Sequence, residues 1–144
     1  MKWYGSVINR IEEGKNYNGR DIQVGDDLTR YYWSDRSCYY VTKVEDQKHI
    51  TIREYEIIAD RDKPGGMGHQ NWLYFKTSKE ANDYLNKYGL GLKEKEVLEH
   101  QEIELVYRYG KWREKYTDRN GKAQYRGDWN ISFGIRDYYY DWEF

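Results

Sequence analysis

Rings, not aliphatic side chains, have to build the core of this chain. Its 144 residues include 17 Tyr, 6 Trp and 3 Phe, 18% aromatic in all, beside a charged fraction of 34%. The mean hydropathy of −1.16 would suit a disordered segment, but disordered segments are poor in aromatics. With a single proline besides, the composition is that of a folded protein. Tyr and Trp pack with their ring bodies and keep a polar handle for hydrogen bonding, so they serve wet grooves and contact surfaces alike. The length gives about one domain, residues 1–144, with one core.

Twenty-four basic side chains face 25 acidic ones, for a formal charge of −1. A general DNA or RNA binder carries a basic surplus because neutralising phosphates dominates its affinity. A nucleic-acid mimic would carry a large negative surplus. The balance disfavours long polyanions in both directions and leaves a small anionic ligand open. Cys38 is the one cysteine, which rules out an intrachain disulfide and fits a reducing compartment. No apolar run has the length of a signal peptide core or a membrane span, so a cytoplasmic location and no membrane partner are expected.

The pattern is mostly that of strands. Residues 2–11 and 28–33 read as two of them, with a turn at Gly25-Asp26-Asp27. Residues 38–44 and 49–58 form a hairpin across the polar EDQK connection, and 71–75 is a short strand. Thr77-Ser78-Lys79-Glu80 offers a cap to a helix carrying Ala81, Tyr84 and Leu85 and ending before Gly89. Residues 93–100 suggest a further helical turn or two. Strands return at 102–109 and 112–116, Asn120-Gly121 signals a hairpin, and the ending from Trp129 begins with clean alternation. The expected fold class is α+β, a mainly antiparallel β sheet with one inserted helix in a single domain.

Catalytic motifs are missing from the sequence. His49, His69, His100 and Cys38 have no metal-ligand spacing, no GxSxG or related nucleophile motif occurs, and no cofactor is implied. Gly65-Gly66-Met67-Gly68-His69 is rich enough in glycine to cradle an anion but lacks the lysine and helix of a Walker loop; it reads as a connection or a lid. Arginines interleaved with rings are more informative. Alternation sets Ile103, Leu105, Tyr107 and Tyr109 on one face of their strand and Arg108 on the other. It likewise sets Trp129, Ile131, Phe133 and Ile135 opposite Arg136. If these strands are neighbours, Arg108 and Arg136 project from one outer face, and Arg53 lies mid-strand among Thr51, Tyr55 and Ile57. A guanidinium fork matches phosphate and stacks on rings, so such a face suits a nucleotide. It equally suits ordinary pairing with Glu and Asp on a solvated sheet.

Several ordered pieces resemble a family of small phage and prophage proteins. They are Val24 to Thr29 (VGDDLT), Trp33 to Arg36 (WSDR), Tyr40 to Val44 (YVTKV), Ile50 to Arg53 (ITIR), Tyr107 to Trp112 (YRYGKW) and the ending from Gly134 (GIRDYYYDWEF). The similarity runs from about residue 22 to the end and is weakest over 77–100. The family is that of the phage Thoeris anti-defence sponges. Its members bind glycocyclic ADP-ribose, the signal made by Thoeris TIR enzymes, and hold it uncleaved. Some also bind CBASS cyclic di- or trinucleotides at separate sites, on a hexamer assembled from dimers. The resemblance therefore implies a non-enzyme in the bacterial host cytoplasm, a cyclic nucleotide as partner and a homo-oligomer. It carries Arg53, Arg108 and Arg136 into the ligand site, with the ring supplied by Trp72, Tyr74 or Phe75. Asn71 is the candidate asparagine, and Arg36 is a candidate for a second ligand. The rival expectation is a protein–protein inhibitor of a bacterial defence enzyme, working as an anti-CRISPR does, with its Tyr and Trp surface as the hot spot.

Overall fold

Alternating strands dominate the computed structural model, which describes residues 21–32, 35–61, 71–134 and 138. Nine strands run in the order β1 (Asp27–Tyr31), β2 (Arg36–Asp46), β3 (His49–Glu54), β4 (Glu56–Ala59), β5 (Trp72–Phe75), β6 (Glu102–Arg108), β7 (Lys111–Thr117), β8 (Ala123–Trp129) and β9 (Ile131–Phe133). One helix, α1 (Ser78–Asn86), lies between β5 and β6. The fold is α+β and mainly antiparallel, with its helix inserted between strands. No helix among the described residues is long and apolar enough to cross a membrane.

Seven strands form one sheet in the order β8-β7-β6-β3-β2-β1-β9, every pair antiparallel. The two end strands are consecutive in the chain, with only Asn130 between them, and the Asn130 carbonyl accepts from the Tyr31 amide at 2.8 Å. One bent strand thus pairs with β7 along its first part and with β1 along its second. This brings the two ends of the sheet together and rolls it into a barrel.

The expected ring-built core is corrected in part: among the described residues seven aliphatic side chains share the inside with four rings. Trp112, fully buried, meets Tyr107 and Phe133 edge-on at 5.4 and 5.5 Å, and Tyr39 tilts against Trp129 at 5.4 Å. Leu28, Val41, Ile50, Ile52, Leu105 and Ile131 complete the packing. Ile22 plugs the barrel, held by the Gln47 side chain, which bonds both its amide and its carbonyl. The expected alternation of Trp129, Ile131 and Phe133 toward the core holds, but Ser132 is buried too, bonded to Tyr31.

The expected strand over 49–58 is two strands in two sheets. At Tyr55 the chain leaves the barrel, and β4 pairs with β5 as a separate ribbon. Tyr55 pins this break: its amide donates to the Cys38 carbonyl and its hydroxyl to Asp27. Period-2 alternation continues through the residue, so it gives no sign that the partner strand changes. Cys38, Tyr40, Tyr55 and Tyr74 form a second cluster between barrel and ribbon. Outside the ribbon lies α1, capped by the Thr77 hydroxyl on the Glu80 amide and by the Glu99 carboxylate on the amides of Ser78 and Lys79 (2.5 and 3.1 Å). The further helix expected over 93–100 is only a 3-10 turn at Glu94–Glu96. The hairpin expected at Asn120-Gly121 joins β7 to β8, a strand whose bounds the pattern did not give, and Gly127 at φ 79° accompanies a register shift against β7. The expected strand over 2–11 and the glycine loop over 65–69 lie outside the described residues.

Candidate functional site

The ribbon and helix cover the outer face of the barrel around β1 and β2, and among the described residues no such layer lies on the outer face of β6, β7 and β8. Ladder partners share a face, so Glu104, Val106 and Arg108 of β6 stand beside Lys111, Arg113 and Lys115 of β7, with Tyr125 opposite Lys115. Towards the β6–β7 turn this face becomes basic. Arg113 donates through Nε to the Arg108 carbonyl at 3.3 Å, which holds the two arginines together. The Arg108 guanidinium lies 4.3 Å from the Tyr125 ring centroid and 5.1 Å from that of Tyr109. Among the described residues neither arginine forms an ion pair. The nearby Lys111 is matched by Asp128 at 3.1 Å. The phenol of Tyr109 is held below its usual value by the Arg108 hydrogen bond and charge, with a smaller contribution from Arg113.

Two hollows among the described residues are lined mainly by acidic side chains. A cavity of about 460 Å³ beside α1 is lined by Asp83, Glu94 and Glu99 against Lys79 alone. One of about 450 Å³ on the barrel has Glu102, Glu104 and Glu114 against Lys43 and Lys115. Between α1 and β4, a groove of about 160 Å³ is apolar, lined by Ile58, Leu85, Leu90, Leu92 and Leu98 among others. The Arg108–Arg113 surface brings positive charge, donors and the rings of Tyr109 and Tyr125 together, with Asp128 taken up by Lys111. It is an open face rather than an enclosed cavity.

The expected site residues are spread over the molecule. Arg53 stands on the outer face of β3, its Nη2 at 3.3 Å from Glu102, so the solvated ion pair describes it. Its Nε is buried without a hydrogen-bond partner. Arg53 and Glu102 are ladder partners, and Arg108 is six residues further along β6, roughly 20 Å away at the rise of a strand. The strand carrying Arg108 is flanked by β3 and β7, whereas the strand that follows Trp129 pairs with β1. The condition that those two strands be neighbours is therefore not met; Arg136 itself lies outside the described residues. The Tyr109 ring, expected in the core, is 79% exposed in the turn.

The candidate rings are engaged in packing. Trp72 meets Tyr138 edge-on at 4.7 Å, Tyr74 meets Tyr55 at 5.8 Å, and Phe75 tilts against Tyr84 of α1 at 5.6 Å. Asn71 is exposed and closes the ribbon through its carbonyl, which accepts from the Asp60 amide. Arg36 pairs with Tyr31 beside the 32–35 connection of the β1–β2 hairpin, away from Arg108. Sequence reasoning missed Arg113 and Tyr125. The alternation of the Lys111–Thr117 strand already sets Arg113 opposite Trp112, but Tyr125 enters only through the pairing of β7 with β8.

Chemically, the arrangement offers guanidinium donors and ring faces to an anionic ligand. Ser78, Glu56 and His100 do meet, with Ser78 Oγ and His100 Nε2 at 2.7 and 2.6 Å from the same Glu56 oxygen. The carboxylate sits between them, so the imidazole is not placed to take the serine proton. Among the described residues no three of His, Cys, Asp and Glu gather to hold a metal ion. No family model, no curated protein and no solved structure matches the chain.

Proposed function

We propose that this chain is a non-catalytic binding protein that sequesters a phosphate-bearing cyclic nucleotide signal. The observation that carries the binding half is the Arg108–Arg113 pair, two guanidinium groups beside Tyr109 and Tyr125 with no acidic partner among the described residues. Guanidinium forks take phosphate oxygens and rings take a base. The identity of the ligand rests on the sequence resemblance to phage Thoeris anti-defence sponges. Glycocyclic ADP-ribose comes first on that basis and CBASS cyclic oligonucleotides second, captured in the cytoplasm of a bacterial host.

A sponge acts by affinity and abundance, so it needs no catalytic group. It does need enclosure, because an open face leaves charge–phosphate contacts screened by water. A second copy of the chain supplies that enclosure in this reading. It also accommodates Arg53, since a pocket that used both Arg53 and Arg108 would have to draw them from different subunits. Equilibrium dialysis against glycocyclic ADP-ribose tests the proposal: free ligand should fall in proportion to protein added. A second reading, an inhibitor that docks on a bacterial defence enzyme, is favoured by Leu90, Leu92 and Leu98, exposed by 51, 55 and 84% around the apolar groove. Absence of depletion with every cyclic nucleotide tested would favour that docking.

A further inference from the structure

The β6–β7 turn places two residues, Tyr109 and Gly110, between the last ladder pair, Arg108 and Lys111. Their φ angles are 55° and 75°, the two positive values of a type I′ turn, whose favoured sequences are Asn-Gly and Gly-Gly. Gly110 adopts this backbone freely, but a side chain with a β-carbon is disfavoured there. Among the described residues Tyr109 is the one non-glycine with positive φ. Burial does not compensate, since the residue is 79% exposed. Its ring instead lies against Arg108, with a long bond from Arg108 Nη2 to the hydroxyl at 3.4 Å. A ring held in a disfavoured backbone, exposed, and set against an arginine with no acidic partner among the described residues is the kind of local strain that clusters at ligand sites.

We propose that Tyr109 is the ring-stacking residue of the arginine face, and that it selects a phosphorylated ligand carrying a planar base over inorganic phosphate of similar charge. The proposal rests on the reading of Arg108 and Arg113 as phosphate-binding. The arginines supply the charge that any polyphosphate would satisfy; the ring supplies the part that only a base can use.

Calorimetric titration of the full chain with inorganic pyrophosphate and with ADP separates these contributions. The wild type should bind ADP about tenfold more tightly than pyrophosphate, a typical gain for one stacked base. Tyr109→Asn suits the turn, so the variant should melt no lower than the wild type while losing that advantage and keeping its pyrophosphate affinity. Tyr109→Phe should keep the advantage. If Tyr109→Asn binds ADP as tightly as the wild type, or weakens ADP and pyrophosphate equally, Tyr109 is not a base-stacking residue. Pyrophosphate binding with no ADP advantage in the wild type would overturn the role of Tyr109 while leaving the arginine site standing. Binding of neither probe would overturn both.

Discussion

Arg108 and Arg113 lie on a solvated sheet face, where a side chain contributes little to stability, so their removal should separate binding from folding. Arg108→Ala or Arg113→Ala should weaken capture of glycocyclic ADP-ribose by about 1.5–3 kcal/mol, the range for charge-assisted hydrogen bonds, with the melting temperature nearly unchanged. Lysine at either position should restore only part, having a point charge in place of a fork. Titration calorimetry beside thermal melts checks this, and variants that melt far lower yet still bind would make the arginines structural. Trp112 should behave in the opposite way. It is fully buried at the centre of the ring cluster, and Trp112→Ala should destabilise by about 3–5 kcal/mol, read from denaturant unfolding. Its indole N–H has no partner among the described residues, so Trp112→Phe, which removes that donor, should be much milder. At this scale the sequence exposed Arg108 through alternation alone, because a polar residue between Tyr107 and Tyr109 in a strand has to face outward. It could not expose Tyr125, whose place beside Arg108 depends on which strands pair, or the Tyr109 ring, whose direction depends on a turn.

Among the elements, α1 depends most visibly on one distant carboxylate. Glu99 accepts the amides of Ser78 and Lys79 across the first turn, and those bonds, the Ser78 one foremost, hold its carboxyl below the usual carboxylate range. A carboxyl depressed in the folded state stabilises above its unfolded value and loses that effect as pH falls through its folded one. Acidification below the carboxylate range should therefore release the start of α1. The Ser78 and Lys79 amide shifts, followed by NMR, should titrate in that range, and Glu99→Gln should remove the titration; an unchanged titration in the variant would assign it to another group. Glu54 works in the other sense, its carboxyl raised by burial first of all, so it favours the fold in acid and less so as pH rises. The helix itself was plain from its Thr77 cap and Ala81-Tyr84-Leu85 spacing. The break at Tyr55 was not, because alternation reports which face a residue takes and says nothing of which strand lies beside it. The bounds of β8 were hidden by Gly127 and by its polar, exposed run.

For the whole molecule, the barrel explains how so hydrophilic a chain folds: a few Trp, Tyr and Phe rings join Ile, Leu and Val in the interior, and the bent strand from Ala123 to Phe133 closes the sheet on itself. The α+β class was legible in the strand spacing, but closure was not, since it joins β9 to β1 across most of the sequence. An open arginine face and the exposed Leu90, Leu92 and Leu98 both favour association. Light scattering at micromolar concentration should give a dimer or a higher multiple of the 17.6 kDa chain, and a lone chain would remove the proposed enclosure. The central claim is capture without chemistry. The most direct measurement incubates excess glycocyclic ADP-ribose with substoichiometric protein, removes the protein by heat and follows the ligand by mass spectrometry over time. Capture predicts depletion that stops at the number of sites and, after heating, full return of ligand at its original mass; continuing consumption or a changed mass would contradict it.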